Sequence, residues 1–195
     1  LREGLDAISL TEHLEYQPHA SDIPHPDRNR SYEIALQEAQ DHDLLIIHGS
    51  EITRSAPMGH SNAVFISDAN PLLDEDPEVP FREAAKQGAF IFWNHPAWYA
   101  QQPQGNPVLS DFQKARIAAG ELHGIEVINT TDYSEEALAI ALEQNLTIMG
   151  TSPSGSAVID ANGIDRIFHI TVGGITVTLS DLGIVFGEVI TSGGG

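Results

Sequence analysis

The sequence predicts an α/β barrel in which parallel strands alternate with outer helices. Short apolar runs of strand length alternate with stretches of helical character at least four times along the chain, a pattern typical of a parallel sheet covered by helices. Polar residues recur after each strand and before the next helix, and in a barrel the loops at that end converge on one face. An open doubly wound sheet is the alternative, but it would gather such residues around one switch point.

The individual elements follow from apolar runs and from start and stop signals. The predicted strands are short and mostly apolar, and they lie at residues 4–10, 44–47, 62–66, 89–93, 124–128 and 146–149. The predicted helices lie at residues 32–42, 81–87, 110–119 and 134–144. Gly88 stands where a helix C-terminus prefers glycine, and Ser134 is a good N-cap. Three long loops, at residues 14–30, 68–80 and 97–109, are expected to shape specificity.

Composition predicts one soluble domain spanning residues 1–195, since 41% of its residues are hydrophobic and this length suits a single sizeable core. No apolar run approaches the roughly 18 residues of a membrane span. The first residues lack Met and the layout of a secretory signal, so we expect the chain to begin inside a longer natural sequence. The compartment stays open: cytoplasmic, or periplasmic or secreted if an upstream signal has been removed. Oligomeric state is equally open.

The charge balance excludes some partners and favours others. Nine Lys and Arg face 28 Asp and Glu, a formal net charge of −19, and such a surface repels the phosphate backbones of nucleic acids. An anionic substrate would therefore need a strongly cationic centre, such as bound metal. The chain has no Cys and nine His, so any metal must be held by imidazoles and carboxylates.

Four candidate ligands share one kind of position, at or just beyond the ends of predicted strands. They are His13, Glu51, His60 and His95. Imidazoles with a carboxylate suit Zn, Mn or Fe and are poor for Ca, and a carboxylate can bridge two ions. The other histidines in loops or at helix margins are interpreted as ordinary structural or surface residues: His19, His25, His42 and His123. His48 lies close to the site in sequence, but we do not expect it to be a ligand.

At this point the motifs resemble those of the PHP (polymerase and histidinol phosphatase) domain family. GLDAISLTEH is similar to its second motif, a strand ending in Thr-Asp-His, with Glu12 in place of Asp. GSEIT and GHSNAVFI resemble its Glu and Gly-His motifs, and FWNHPAW resembles its Asn-His-Pro motif. GIEVIN, a helix and LTIMGTS resemble the approach to its last motif. The resemblance covers about residues 1–152.

The resemblance implies a distorted seven-stranded (β/α)7 barrel of the TIM type, holding two or three divalent metal ions. It implies that His13, Glu51, His60 and His95 are metal ligands, with Glu51 as the bridge. The family's usual reaction is the hydrolysis of a phosphomonoester, here a small phosphorylated substrate. A metal-bound water would be the nucleophile, so no protein side chain is assigned as the catalytic residue.

Two departures from the family pattern concern the ends of the chain. The family opens with a His-x-His motif, which the residues after Leu1 do not supply, and it closes with Ser-Asp-x-His, where this chain reads TSPSG at residues 151–155. Up to five ligands are therefore missing, and a truncated or partly misread chain explains this more simply than a permuted one. Residues 153–195 are an atypical β-rich tail with runs at 164–172, 175–179 and 184–190.

The expected function is therefore metal-dependent phosphoesterase activity, with two alternatives. A catalytically inactive PHP-like barrel that serves as a binding module would explain the missing ligands, and a hydrolase of C–N or other bonds would use a similar ligand set. Arg54 is a candidate phosphate contact, because guanidinium binds phosphate oxygens in a bidentate way. Trp93 and Trp98 flank the Asn-His-Pro motif and are expected to be core residues rather than a pocket wall.

Overall fold

The structure, a computed structural model, describes residues 5–16, 27–129, 132–144, 146–151, 157–160 and 182–185. Its strands are β1 (Ala7–Leu10), β2 (Leu45–Thr53), β3 (His60–Val64), β4 (Phe90–Trp93), β5 (Gly124–Asn129), β6 (Asp132–Tyr133), β7 (Thr147–Thr151), β8 (Ala157–Asp160) and β9 (Leu182–Val185). Its α-helices are α1 (Arg30–Glu38), α2 (Val79–Lys86), α3 (Asp111–Ala118) and α4 (Glu135–Gln144), and a 3-10 turn spans Asn70–Leu72.

Seven strands form one mixed sheet in the order β1-β2-β3-β4-β5-β6, with β7 also paired to β5. β1 is parallel to β2, β4 is parallel to β5, and β5 is parallel to β7, whereas β3 runs antiparallel to both of its neighbours. Five strands therefore run in one direction: β1, β2, β4, β5 and β7. Among the described residues no ladder joins β1 to β7, so the sheet is shown as an open α/β sheet and not as a closed barrel.

The prediction that all strands are parallel is wrong at β3. Only residues 54–59 separate β2 from β3, and a parallel connection needs a crossover of about a dozen residues or more. The two strands therefore form a hairpin in which Thr53 lies opposite His60. This hairpin brings the Gly-His motif back beside Glu51, where a crossover would have carried it one strand further away.

The second strand is also longer than predicted, because it continues past the apolar run at residues 44–47 to Thr53. Glu51 therefore lies inside β2 and not in a loop beyond its end. Residues of a strand point to alternate faces, so Glu51 and Thr53 share one face with Gly49. A Cβ at Gly49 would lie 3.0 Å from the carbonyl oxygen of Leu10, and glycine permits this close approach of β1 and β2.

The helices pack against these strands over one hydrophobic core. That core includes Ile52, Ile91, Trp93, Ile125 and Val127, whose side chains are almost fully buried. The predicted stop at Gly88 is confirmed: α2 ends at Lys86, and Gly88 has a φ of +79°, a conformation that glycine adopts without strain.

The hydrogen bonds at two helix starts agree with the sequence. Ser110 and Gln113 form a capping box at the start of α3. Ser134 accepts the backbone N–H of Ala137 through its hydroxyl at the start of α4, at 3.1 Å, as its predicted role as N-cap requires.

The end of the chain contributes a separate two-stranded parallel sheet, β8 with β9. β9 overlaps the start of the predicted run at residues 184–190. The predicted runs at 164–172 and 175–179 lie outside the described residues, as do residues 152–155, where the closing motif of the PHP pattern would stand. None of the helices that the structure describes has the length and hydropathy needed to cross a membrane.

His48 lies on the opposite face of β2 from Glu51, as strand alternation requires. Its side chain is 5% exposed and its imidazole stacks on the Tyr32 ring of α1, with ring centroids 4.1 Å apart. The expectation that His48 is not part of the site therefore has a geometric reason. Burial lowers the pKa of the His48 imidazole below its usual 6.5 and outweighs the attraction of nearby acidic groups, of which Asp68 is the strongest, followed by Asp27 and Glu33.

This lowered pKa predicts a loss of stability in acid. Below pH 6.5 the unfolded chain takes up a proton at His48 that the folded chain does not, so the free energy of unfolding falls as pH falls. The slope from this one proton is at most about 1.4 kcal/mol per pH unit. Chemical denaturation of the metal-free protein between about pH 5 and 7.5 should show a shallower slope for His48→Phe, which keeps the stacked ring. Equal slopes for the two proteins would exclude this role of His48.

Candidate metal centre

Glu51 lies at the middle of the candidate site, on the face of β2 that lines a cavity. Its Oε1 accepts a hydrogen bond from the Thr53 hydroxyl at 2.8 Å, and it lies 2.9 Å from His13 Nδ1 and 3.1 Å from His60 Nδ1. Burial alone would raise the pKa of the Glu51 carboxyl, but hydrogen bonds from His60 and Thr53 more than offset this, and the pKa lies below its usual value. Glu51 is therefore held as an anion between two imidazoles.

His13 reaches Glu51 because the pairing of β1 with β2 continues past Leu10. Glu51 donates its backbone N–H to the Glu12 carbonyl, and its own carbonyl accepts the N–H of Leu14, which makes His13 the backbone partner of Glu51. The His13 ring also stacks on Tyr16, with centroids 4.5 Å apart. A glutamate in β2 and a histidine after β1 thus meet through the strand register alone.

His60 enters the site as the first residue of β3, directly after Gly59. A Cβ at Gly59 would lie 2.6 Å from Trp93 Nε1 and 2.8 Å from Gln101 Oε1, and the residue has a φ of +77°. Only glycine meets both requirements without displacing a neighbour. The Gly-His pair is therefore a local solution for bringing the chain past Trp93 and presenting the imidazole to Glu51.

His95 follows β4 and has a φ of +29°, which is uncommon for a residue other than glycine and often marks a functional position. Its backbone N–H donates to Glu126 Oε2 at 2.5 Å, and its Nε2 lies 3.0 Å from His60 Nδ1. Burial lowers the pKa of the His95 imidazole, which keeps the ring neutral at physiological pH. A neutral imidazole is the form that binds a metal.

Three of the four predicted residues bring donor atoms to one point. One ligand atom each from Glu51, His60 and His95 lies within 4.8 Å of the others. His13 stands beside this group, on the same carboxylate oxygen of Glu51, and its ring centroid is 6.2 Å from that of His60. Glu51 Oε1 therefore lies within 3.1 Å of one nitrogen from each of two histidines.

The donors open into a cavity of about 520 Å³ that is also lined by Glu126, Asn129 and residues 96–99. Sequence reasoning missed Glu126, although a signal was present: it is the one carboxylate in the otherwise apolar β5, GIEVIN. Its side chain is 5% exposed, and besides the His95 N–H it accepts Asn129 Nδ2 at 3.1 Å. A buried carboxylate with these donors holds the backbone of His95 in place.

Arg54, the predicted phosphate contact, is not among the residues that line the cavity. Its Nε pairs with Glu15 Oε1 at 2.8 Å, and its terminal nitrogens donate to the backbone carbonyls of Asp74 and Glu75. The guanidinium therefore fastens the loop at residues 68–80 to the segment after His13.

The two tryptophans also differ from each other. Trp93 is core, as predicted, with 1% exposure, whereas Trp98 is 40% exposed and lines the cavity. The expectation that both are core residues is therefore wrong for Trp98.

The chain matches no family model and no curated protein. It is similar to a crystal structure from Bacteroides vulgatus, described as a two-domain protein containing a predicted PHP-like metal-dependent phosphoesterase. The two are 50% identical with a TM-score of 0.73, over 77% of this chain and 43% of that one. This chain therefore spans less than half the length of that protein. The likeness supports the PHP-like resemblance that the motifs indicate.

Proposed function

We propose that this chain is a PHP-like metal-dependent phosphoesterase that hydrolyses a small phosphomonoester. The observation that carries the proposal is the convergence of Glu51, His60 and His95, with His13 on the shared carboxylate oxygen. The relative from Bacteroides vulgatus supports the reaction class. The closed, distorted seven-stranded barrel of the PHP family is part of this proposal, supported by the five strands that run in one direction.

The residues present fit a divalent metal. The donor set is three imidazoles and one carboxylate, which suits Zn, Mn or Fe, and Glu51 stays ionised while His95 stays neutral. His60, His95 and Glu51 would hold one ion, and Glu51 with His13 would contribute to a second. Bound ions of this kind make a coordinated water acidic near neutral pH and offset charge on phosphate oxygens.

The chain itself holds the proposed metal ligands in position. Glu126 holds the backbone of His95, and Thr53 holds the Glu51 carboxylate, so both groups are fixed before a ligand arrives. None of the described residues lining the cavity is Lys or Arg. The phosphate group would therefore have to be neutralised by bound metal and not by a side chain.

Removal of metal is the direct test of this function. Elemental analysis of the purified protein should find at least one ion of Zn, Mn or Fe per chain, and chelation should lower phosphomonoesterase turnover at least about 100-fold. Adding back the metal should restore it. His42→Ala, an exposed histidine far from the site, serves as the control and should keep its metal and its turnover.

The same measurement separates the alternatives. Metal-free protein without turnover would overturn the proposal in favour of a binding module. Metal-loaded protein that hydrolyses cyclic amides but no phosphoester would overturn it in favour of a hydrolase of C–N bonds.

A further inference from the structure

The exposed aromatic side chains of this protein are concentrated at one place. Five aromatic residues are exposed among those that the structure describes: Tyr16, Phe65, Trp98, Tyr99 and Tyr133. Three of them, Trp98, Tyr99 and Tyr133, line the cavity, and a fourth, Tyr16, stacks on His13. Exposed aromatic surface that is gathered at a cavity marks a binding site more often than chance exposure does.

Trp98 is the member that lies against the metal-binding side chains. Its ring centroid is 5.4 Å from that of His60 and 5.5 Å from that of His95, and the ring centroid of Tyr99 lies 5.9 Å from that of Trp98. Trp98 is 40% exposed, so a flat group could stack on its accessible surface. A phosphate joined to that group directly or through a sugar would then reach the imidazoles. Tyr99 and Tyr133 extend the aromatic surface outwards, with 74% and 50% exposure.

The volume and the charge of the cavity restrict the class of ligand further. The cavity volume of about 520 Å³ lies within the roughly 300–1,000 Å³ of pockets that enclose drug-sized molecules, so it has room for more than a phosphate. Its described lining holds the carboxylates of Glu51 and Glu126 and no Lys or Arg. A second or third phosphate would meet no cation away from the metal centre, which disfavours di- and triphosphates and nucleic-acid strands.

We propose that the substrate is a phosphomonoester whose organic part carries a planar aromatic ring, bound by stacking on Trp98 beside the metal centre. This inference rests on the proposed function and deepens it by naming the substrate class. Two sources share this chemistry, a nucleoside monophosphate and a simple aryl phosphate.

The test compares ligands that differ only in the ring, by calorimetry on the metal-loaded protein and by turnover. Adenosine 5′-monophosphate is paired with ribose 5-phosphate, in which the phosphate is also esterified to a primary 5′-oxygen. Phenyl phosphate is paired with cyclohexyl phosphate, and for this pair only affinities are compared, because phenoxide is the better leaving group. The aromatic member of at least one pair should bind about ten- to a hundredfold tighter, the range for one base–aromatic stack. The nucleotide pair reports a nucleoside substrate, and the phenyl pair reports an aryl phosphate.

Variants test whether Trp98 causes the preference for the aromatic ligand. Trp98→Ala should remove the ring preference, so that adenosine 5′-monophosphate binds no tighter than ribose 5-phosphate, and Trp98→Phe should keep most of the preference. Phe65→Ala is the matched control, because Phe65 is also an exposed aromatic residue but follows the far end of β3 from His60. It should keep the full preference.

The outcomes separate this inference from the proposed function. Equal affinity within both pairs, or no binding of any of the four ligands, would overturn the aromatic substrate class. A ring preference that survives Trp98→Ala would overturn the assignment of ring binding to Trp98. Ring-dependent binding without hydrolysis of any phosphoester would support the stacking of an aromatic phosphate on Trp98, but it would reject the phosphoesterase and with it the role of that ligand as substrate.

Discussion

Replacing Glu51 with alanine is expected to lower the affinity for divalent metal by at least about 100-fold. Glu51 offers the oxygen that His13 and His60 approach from two sides, at 2.9 and 3.1 Å, so its loss removes the common ligand of both positions. Even outer-sphere partners of metal ligands are worth about 10- to 100-fold in affinity, and a bridging ligand should exceed that. Titration calorimetry with Zn²⁺ or Mn²⁺ measures the change directly.

Glu51→Gln separates charge from shape in this experiment. The amide keeps the size of the side chain and its contact with Thr53, but it loses the negative charge that two imidazoles face. We expect the metal affinity of Glu51→Gln to fall nearly as far as that of Glu51→Ala. Glu38→Gln, an exposed carboxylate on α1, is the matched control and should bind metal normally. Metal binding that persists in both Glu51 variants would disprove the proposed bridge.

The second large effect is expected at Glu126, as a positioning residue. Glu126→Ala would leave the backbone N–H of His95 buried without its acceptor, at a residue whose φ of +29° needs support. We expect the metal affinity to fall about 10- to 100-fold, and the metal-free protein to lose about 1–3 kcal/mol of stability. Calorimetry and chemical denaturation measure the two effects separately.

Glu126→Gln tests whether the acceptor itself matters. Its amide oxygen can still accept the His95 N–H, so metal affinity should recover to within about tenfold of the original. A purely structural role would instead lower stability in Glu126→Ala and leave metal affinity intact. That result would remove Glu126 from the site.

The sequence predicted the strands better than it predicted their directions and ends. Apolar runs located β2, β4, β5 and β7, because buried strands of this kind are apolar throughout. The same rule ended β2 too early, since residues 48–53 include the polar side chains of His48, Ser50, Glu51 and Thr53, of which Glu51 faces the cavity. The direction of β3 follows from the short connection at residues 54–59 and not from composition, so alternation alone predicted it wrongly.

Residues of the candidate site were predicted where they belong to a local motif, and they were missed where only contacts between distant segments place them there. His60 and His95 carry local signals, a preceding glycine and a following proline. Glu126 lies 31 residues from its His95 partner, and the single strand sequence gives no sign of that contact. Arg54 pairs with Glu15, a contact that no local pattern indicates, and its role as a phosphate contact stays a prediction.

We propose that Glu51, His60 and His95 together hold a divalent metal. The most direct measurement is a crystal structure of the Mn²⁺-soaked protein with anomalous scattering recorded at the manganese edge. We expect an anomalous peak about 2.0–2.3 Å from a Glu51 carboxylate oxygen and from one nitrogen each of His60 and His95. A fully soaked crystal with no peak among these three side chains, or with manganese only at surface carboxylates, would contradict it.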